Sequence, residues 1–210
     1  MCRAELLGEE AGERRFVLRA AQRPQSLDQS TRTDGDTHRH PTRSRIDARR
    51  RRRVGVVGRQ NEADADMDAA FTELAETHDE PPLLHIERRE IQARRKAGGV
   101  VWFDFRTLCG GPRSQNDYLE IASQFHTVML SNVPEMAPRM ASEARRFTWL
   151  VDVLYDRRVK LIVSAEVPPE QLYTEGPLSH EFPRTVSRLN EMQSAEFLAL
   201  EHRTVDTHLT

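Results

Sequence analysis

The sequence predicts an α/β fold, a partial parallel sheet with flanking helices, and three observations predict it. Between Val100 and Ser194, apolar runs of strand length (VVWFDF, TVML, KLIVSA) alternate with segments of helical period. The first of these runs is apolar on both faces, as a strand covered on both sides should be. The second and third end in polar residues, Ser131 and Asn132 after one and Ser164 and Glu166 at the end of the other, where an open parallel sheet has its ligand crevice. Residues 1–60 show no sustained period of 2 or 3.6 and are expected to form a disordered, Arg-rich leader. The chain therefore divides into a leader, 1–60, and an α/β portion, 64–205.

Charge separates the same two segments. The chain has 210 residues, 30% of them charged, with a net charge of −2. Residues 1–60 hold fifteen Arg, no Lys and eight acids, a balance of about +7, so the remainder carries about −9. Arg without Lys is also what high-GC coding DNA yields when read out of frame, and the leader is open to both readings. Cys2 and Cys109 lie far apart with no C-x-x-C spacing, which argues against a zinc site or a disulfide framework. No metal site is expected. No apolar run approaches ~18 residues, and the N-terminus has early acids and no apolar h-region, so neither a membrane span nor a secretory signal is expected. A cytoplasmic location follows as the expectation.

Each element has a local reason. DADMDAAFTELAETH places Met67, Ala70, Phe71 and Leu74 at i, i+3, i+4 and i+7 of a helix that Pro81-Pro82 closes off. LLHIE and EIQAR, separated by Arg88-Arg89, read as a hairpin or two short strands. Gly98-Gly99 leads into VVWFDF, a strand that Phe105 is expected to continue past Asp104. Ser114 and Asp117 have the spacing of a capping box, and Tyr118, Ile121, Ala122 and Phe125 form the apolar stripe of the helix it starts. Thr127–Leu130 is a short buried strand. Phe147, Leu150, Val151, Leu154 and Tyr155 mark the strongest helix, closed by Arg157-Arg158. Lys160–Ala165 is the third strand, VPPEQLY a turn with one helical twist, and Thr185–His202 a final helix with Val186, Leu189, Phe197 and Leu200 inward.

Arginines dominate the candidate chemistry. Arg145, Arg146, Arg184 and Arg188 present rigid donor forks suited to phosphate oxygens, and Arg184 and Arg188 share a helix face at i, i+4. As a structural alternative, Arg184 and Arg188 pair with Glu181, Glu191 or Asp152. Asn132 and Ser164, at strand ends, are candidate nucleotide contacts, with turn chemistry as the alternative. Asp104 reads as structural, hydrogen-bonded to the loop at Arg106 or Arg113, because a magnesium-binding acid follows its strand. His126 and His180 stand alone. Cys109 reads as a small buried side chain. The Arg49–Arg53 block offers weak electrostatic binding to nucleic acid, with a solvated basic tail as the alternative. No G-x-x-x-x-G-K-[ST] occurs, and VGVVGRQ at 54–60 lacks the Lys and Ser/Thr that contact phosphate and Mg²⁺.

Three stretches, WFDFRTLCGGPRSQNDYLEIA, SEARRF with the helix and strand after it, and FPRTVSRLNEMQS, resemble the C-terminal part of the ZapE (AFG-like) P-loop ATPases associated with bacterial cell division. The resemblance covers roughly Asp64 to Arg203. It implies a P-loop NTPase-like α/β portion, ATP with Mg²⁺ as cofactors, ATP binding and hydrolysis as the activity, and a division-machinery protein as partner. In AAA-type relatives a polar strand-end residue senses the γ-phosphate and a helix Arg reaches a neighbour's nucleotide, which implies such roles for Asn132, Ser164 and the four arginines. The family's Walker A lysine, Walker B acids and first sensor have no counterpart here. The expectation is a truncated or frame-disrupted ZapE-like ATPase that does not hydrolyse ATP by itself. Its rival is a non-catalytic module docking onto a division or membrane-associated protein. An exposed sheet edge also invites self-association.

Overall fold

The computed structural model describes residues 14–18, 56–58, 60–75 and 77–203. In chain order these form β1 (Arg14–Leu18), β2 (Val56–Gly58), α1 (Gln60–Ala75), β3 (Leu83–Ile86), β4 (Arg89–Gln92), β5 (Arg95–Ala97) and β6 (Val100–Asp104). There follow α2 (Gln115–Gln124), β7 (Thr127–Val133), α3 (Ala141–Asp156), β8 (Lys160–Ala165), α4 (Phe182–Glu191) and α5 (Ala195–Ala199). Six strands make one mixed sheet in the order β2-β1-β8-β7-β6-β5. Its centre, β6-β7-β8, is parallel, and β1 and β5 pair antiparallel to it at either side. The parallel centre agrees with the sequence; the antiparallel flanks were not read from it. Contrary to the expectation of a disordered leader, β1, β2 and the first residue of α1 lie within 1–60; the Arg49–Arg53 block lies outside the described residues.

The sheet is covered on both faces. One face packs Val101, Phe103, Val128, Leu130, Leu161 and Val163 against α2, α3, α4 and the β3–β4 hairpin. The other packs Val100, Trp102, Met129 and Ile162 against Met67, Ala70 and Phe71 of α1. Alternation along each strand produces this division, since successive side chains point to opposite faces. Met67, Ala70 and Phe71 of the α1 stripe are buried and Leu74 is half-buried, and the helix runs from Gln60 to Ala75 rather than beginning at Asp64.

Two tight turns set the register of the hairpins. Glu87 and Arg88, at φ 46° and 64°, join β3 to β4, one residue earlier than the sequence suggested. Two consecutive left-handed residues are the signature of a turn that favours Asn-Gly, and neither Glu nor Arg suits it. The double substitution Glu87→Asn, Arg88→Gly is expected to stabilise the chain by about 1 kcal/mol, read as a higher urea midpoint at unchanged slope. Gly98 and Gly99, at φ 55° and 80°, make the same kind of turn between β5 and β6. The outer edge of β5 is not bare: Glu80 N donates to Lys96 O at 2.7 Å. The Arg95 guanidinium beside Asp79 holds that carboxyl below its ordinary range, and Lys96, with the Gly98 amide, does so for Glu80.

The capping box forms as read. Ser114 Oγ accepts from Asp117 N, and Asp117 Oδ2 accepts from Ser114 N at 2.6 Å. β7 continues three residues past Leu130 because a bulge at Asn132, φ 63°, absorbs the shift between Leu130 and Val133. The single helix expected over Thr185–His202 is two. Pro183 opens α4 early, and the chain breaks after Glu191 so that Ser194 Oγ can accept from Phe197 N and start α5. Phe197 and Leu189 are buried and Val186 half-buried, as read, but Leu200 is 40% exposed, since the backbone is already extended there. Lys160 Nζ instead caps that end, donating to Phe197 O and Leu200 O.

Candidate functional site at the carboxyl ends of the parallel strands

A crevice of about 1050 Å³ opens where β6, β7 and β8 end. It is lined by Asp104 at the end of β6 and Arg106 just after it, Asn132 of β7 and Glu135 beyond it, Arg139 ahead of α3 and Glu143 in its first turn, and Glu166 just after β8. Strand ends project into this space because each chain must leave the sheet there to enter a helix.

Asp104 is the last residue of β6, and Phe105 does not continue the strand as the sequence suggested. The reason is local. Asp104 Oδ1 accepts the Arg106 N–H at 3.0 Å and turns the chain into the short helical segment Arg106–Gly110. This is the loop contact expected of a structural Asp; Arg113 turns elsewhere, donating to Thr107 O. The second carboxylate oxygen accepts Asn132 Nδ2 at 2.5 Å. Asp104 and Asn132 are thus one unit bridging the ends of adjacent strands. Glu166 ties in β8, accepting the Glu135 N–H at 3.2 Å.

The other proposed contacts disperse. Ser164 is fully buried, shares the face of Ile162 toward α1, and does not line the crevice; its Oγ has no hydrogen-bond partner among the described residues. Arg146 donates Nε–H to Cys109 O at 2.6 Å and lies 3.9 Å from Glu143, so it clamps the Arg106–Gly110 segment onto α3. Arg188 pairs with Asp152, reaches Asp156 at 3.7 Å, and stacks on Tyr155 at 4.9 Å. The alternative pairing with Asp152 is therefore the one observed. Arg145 and Arg184 are exposed and make no ion pair among the described residues. The i, i+4 pair thus splits, one member into the α3–α4 seam and one into solvent.

Buried groups near the site are inert. Burial pushes the Cys109 thiol and the Tyr118 phenol well above their ordinary values, and the Tyr118 hydroxyl donates to Leu108 O at 2.8 Å. A thiol held protonated and fully buried is neither a nucleophile nor a metal ligand. His126 bridges Gly98 O and Thr127 Oγ1 at the opposite end of the strands.

Among the described residues, the lining of this crevice supplies no lysine for a polyphosphate. Its lining offers four carboxylates, Asp104, Glu135, Glu143 and Glu166, against two arginines, Arg106 and Arg139. A polyphosphate needs the reverse balance, with a backbone amide nest and a lysine. Nor do the described residues place three or more His, Cys, Asp or Glu where they could hold a metal ion. Asn132 and Glu166, both named from the sequence as strand-end residues, line the crevice, as do Asp104 and Arg106, which were read as structural; Glu135, Arg139 and Glu143 were missed. Nothing in their spacing marks them, since they meet only when the β7–α3 connection folds over the strand ends.

A helix-covered sheet with a parallel centre and a crevice at its strand ends defines the class of α/β proteins built like nucleotide-binding folds. The chain belongs to the AFG1-like ATPase family, whose family model matches residues 40–201. Cell division protein ZapE of Escherichia coli K12 is 46% identical over 143 residues, 68% of this chain and 38% of that protein. Lactation elevated protein 1 homolog B of Danio rerio is 31% identical over 69% of this chain and 36% of its own length. The chain thus spans well under half of the relatives it matches. No solved structure matches it. No helix among the described residues is long and apolar enough to cross a membrane.

Proposed function

We propose that this chain is the C-terminal part of a ZapE-like ATPase serving bacterial cell division, and that it does not hydrolyse ATP by itself. It would act in the cytoplasm, presenting Arg145 and Arg184 to phosphates bound by another polypeptide. The observation that carries this reading is the division among the four arginines. Arg146 and Arg188 are consumed by contacts within the fold, whereas Arg145 and Arg184 stand exposed with their charge uncommitted. An arginine that acts in trans must be free to leave its own surface. The family supplies the nucleotide, and the sequence lacks the lysine-bearing phosphate loop that would hold it in this chain.

The test mixes the purified chain with a full-length relative and follows phosphate release. The chain alone is expected to show no turnover and no saturable ATP binding by calorimetry. Arg145→Ala with Arg184→Ala should remove any stimulation of the relative while leaving the thermal midpoint unchanged. Turnover by the chain alone, at the rate of the relative, would overturn the proposal.

The acidic lining of the crevice favours a second reading, a non-catalytic module that docks a division or membrane-associated protein. It predicts partner capture that is independent of nucleotide and unaffected by the same two substitutions. Self-association would appear in either case as a concentration-dependent mass in light scattering.

A further inference from the structure

Two consecutive arginines, Arg94 and Arg95, hold α1 on the sheet, and they hold it differently. Arg95 keeps to the helix and the link behind it. Its guanidinium donates to Asp68 at 2.7 Å, to Thr72 at 3.1 Å and to both oxygens of Asp79 at 2.8 Å, and it stacks on Phe71. With the Gly98 turn closed against Ala75 O, this fixes the second half of α1. Arg94 divides its contacts. Two of its nitrogens donate to Asp64 of α1, at 2.9 and 3.3 Å. One of them also donates to Ser131 Oγ at 3.2 Å, and the guanidinium lies over the Trp102 ring, 4.9 Å from its centre. Ser131 Oγ accepts Trp102 Nε1–H as well, at 3.0 Å, so Arg94 is built into the ends of β6 and β7.

Those strand ends are the rim of the crevice. Ser131 is the register partner of Asp104 and precedes Asn132. Asp104 shares the sheet face of Trp102, two residues before it, and adjacent strands lie about 4.8 Å apart, which brings its carboxylate within range of the guanidinium. The Asp64 bond, and with it the Asp104 charge, hold Arg94 above its ordinary value. The first half of α1 depends on this link. The helix contains no Lys or Arg, and Asp64 and Asp68 are a like-charge pair at i, i+4, which disfavours it. Its apolar anchors there are Ala63 and Met67. Opening the first two turns parts Arg94 from Asp64 but leaves it beside Asp104. Without Asp104, the same opening would leave a half-buried cation uncompensated.

We propose that Arg94 couples the first two turns of α1 to the strand-end crevice, pairing with Asp64 while the helix is closed and with Asp104 when it opens. A carboxylate that lines the crevice thereby sets how often α1 opens, and a cationic group that takes up the Asp104 charge holds the helix closed. The coupling runs both ways, since a closed helix leaves Asp104 to the crevice. The device goes beyond the arginine role proposed above, because it involves neither Arg145 nor Arg184 and needs no nucleotide.

The test follows deuterium exchange of the Asp64–Asp68 amides in the purified chain, with the Leu150–Leu154 amides of α3 as the internal gauge of global stability. The α1 amides are expected to exchange at least about tenfold faster than those of α3. Relative to α3, Arg94→Gln should speed them roughly fivefold, and Asp104→Asn should slow them by a similar factor. Asparagine keeps an acceptor for the Arg106 N–H, so the β6 end retains its turn. In the Arg94→Gln background, Asp104→Asn should have no effect on α1, because the shared cation is gone. An unchanged or faster α1 in Asp104→Asn would overturn the proposal, as would the same slowing without Arg94. The unmodified chain supplies a second measurement should a variant fail to fold. Below the urea midpoint its α1 amides should depend on urea less steeply than those of α3, and equal slopes would show that the two open only together.

Discussion

Gly98→Ala is expected to lower the stability of the chain by about 3 kcal/mol or more, visible as a large drop in urea midpoint with unchanged slope. Two costs add. The residue sits at φ 55°, where a side chain costs on the order of 1 kcal/mol. A methyl group there would also lie 2.4 Å from Ala75 O and 2.9 Å from Thr77 Oγ1. Ala75 is the buried last residue of α1, so its carbonyl can withdraw only if the helix end moves off the sheet. The turn is pinned elsewhere as well. Glu80 Oε1 accepts the Gly98 N–H, and Gly99 O accepts the His126 N–H at 3.1 Å. Nothing local is free to relax, and overpacking without relaxation is costly. Gly111→Ala is the matched control, since no atom lies within 4 Å of its added methyl and its φ is −108°. It should change stability by no more than about 0.5 kcal/mol. A loss below about 1 kcal/mol at Gly98 would show that α1 docks more loosely than the contacts imply.

Why Gly98 was legible only as a chain-releasing glycine, and not as the point where α1, β5 and β7 meet, illustrates what the sequence carries. Local chemistry was readable. The S-x-x-D of Ser114 and Asp117 closes its box, and the Phe147, Leu150, Val151, Leu154 stripe is buried, because each depends on residues within two turns of one another. The parallel pairing of the central strands was readable too, since apolar runs joined by helices have few ways to pair, although their order was not read. The antiparallel flanks depend on contacts between distant segments and left no periodic trace.

The site was less legible than the fold. Asp104 was read as a structural residue inside a strand, and its contact with the Arg106 amide agrees, but the strand stops at Asp104 because of that very contact. A period-2 pattern cannot show that a carboxylate will capture the next loop. The four arginines were chemically equivalent in the sequence. Only the packing of α3 against α4, and of α3 against the Arg106–Gly110 segment, sorts them into committed and uncommitted pairs. The relatives narrow the family without resolving this, since this chain covers 38% of the ZapE sequence it matches.

Arg188→Ala is expected to cost about 2 kcal/mol, while Arg184→Ala, one turn earlier on the same helix, should cost less than about 0.5 kcal/mol. The contrast rests on where each guanidinium ends. The Arg188 side chain is only 14% exposed and joins Asp152 and Asp156 of α3 while covering the Tyr155 ring. Around it the seam is polar but knitted: Thr185 Oγ1 lies 3.3 Å from Thr148 Oγ1, and the Tyr155 hydroxyl donates to Glu191 at 2.8 Å. Removing the cation strands the Asp152 carboxylate, itself 28% exposed, in a half-buried seam, where leaving one partner of a pair uncompensated is the main cost. A fully buried pair would cost about 3–5 kcal/mol, and the residual exposure of Asp152 reduces that. Arg188→Lys should fall between, since an ammonium keeps the charge but cannot reach both acids and cover the ring. The cycle of Arg188→Ala with Asp152→Ala should return a coupling of about 1 kcal/mol or more. Zero coupling, with equal losses at positions 184 and 188, would mean that α4 is held by Phe182 and Leu189 in the core alone. Arg188 would then be as uncommitted as Arg184, and the division among the arginines that supports the trans-acting role would fall with it.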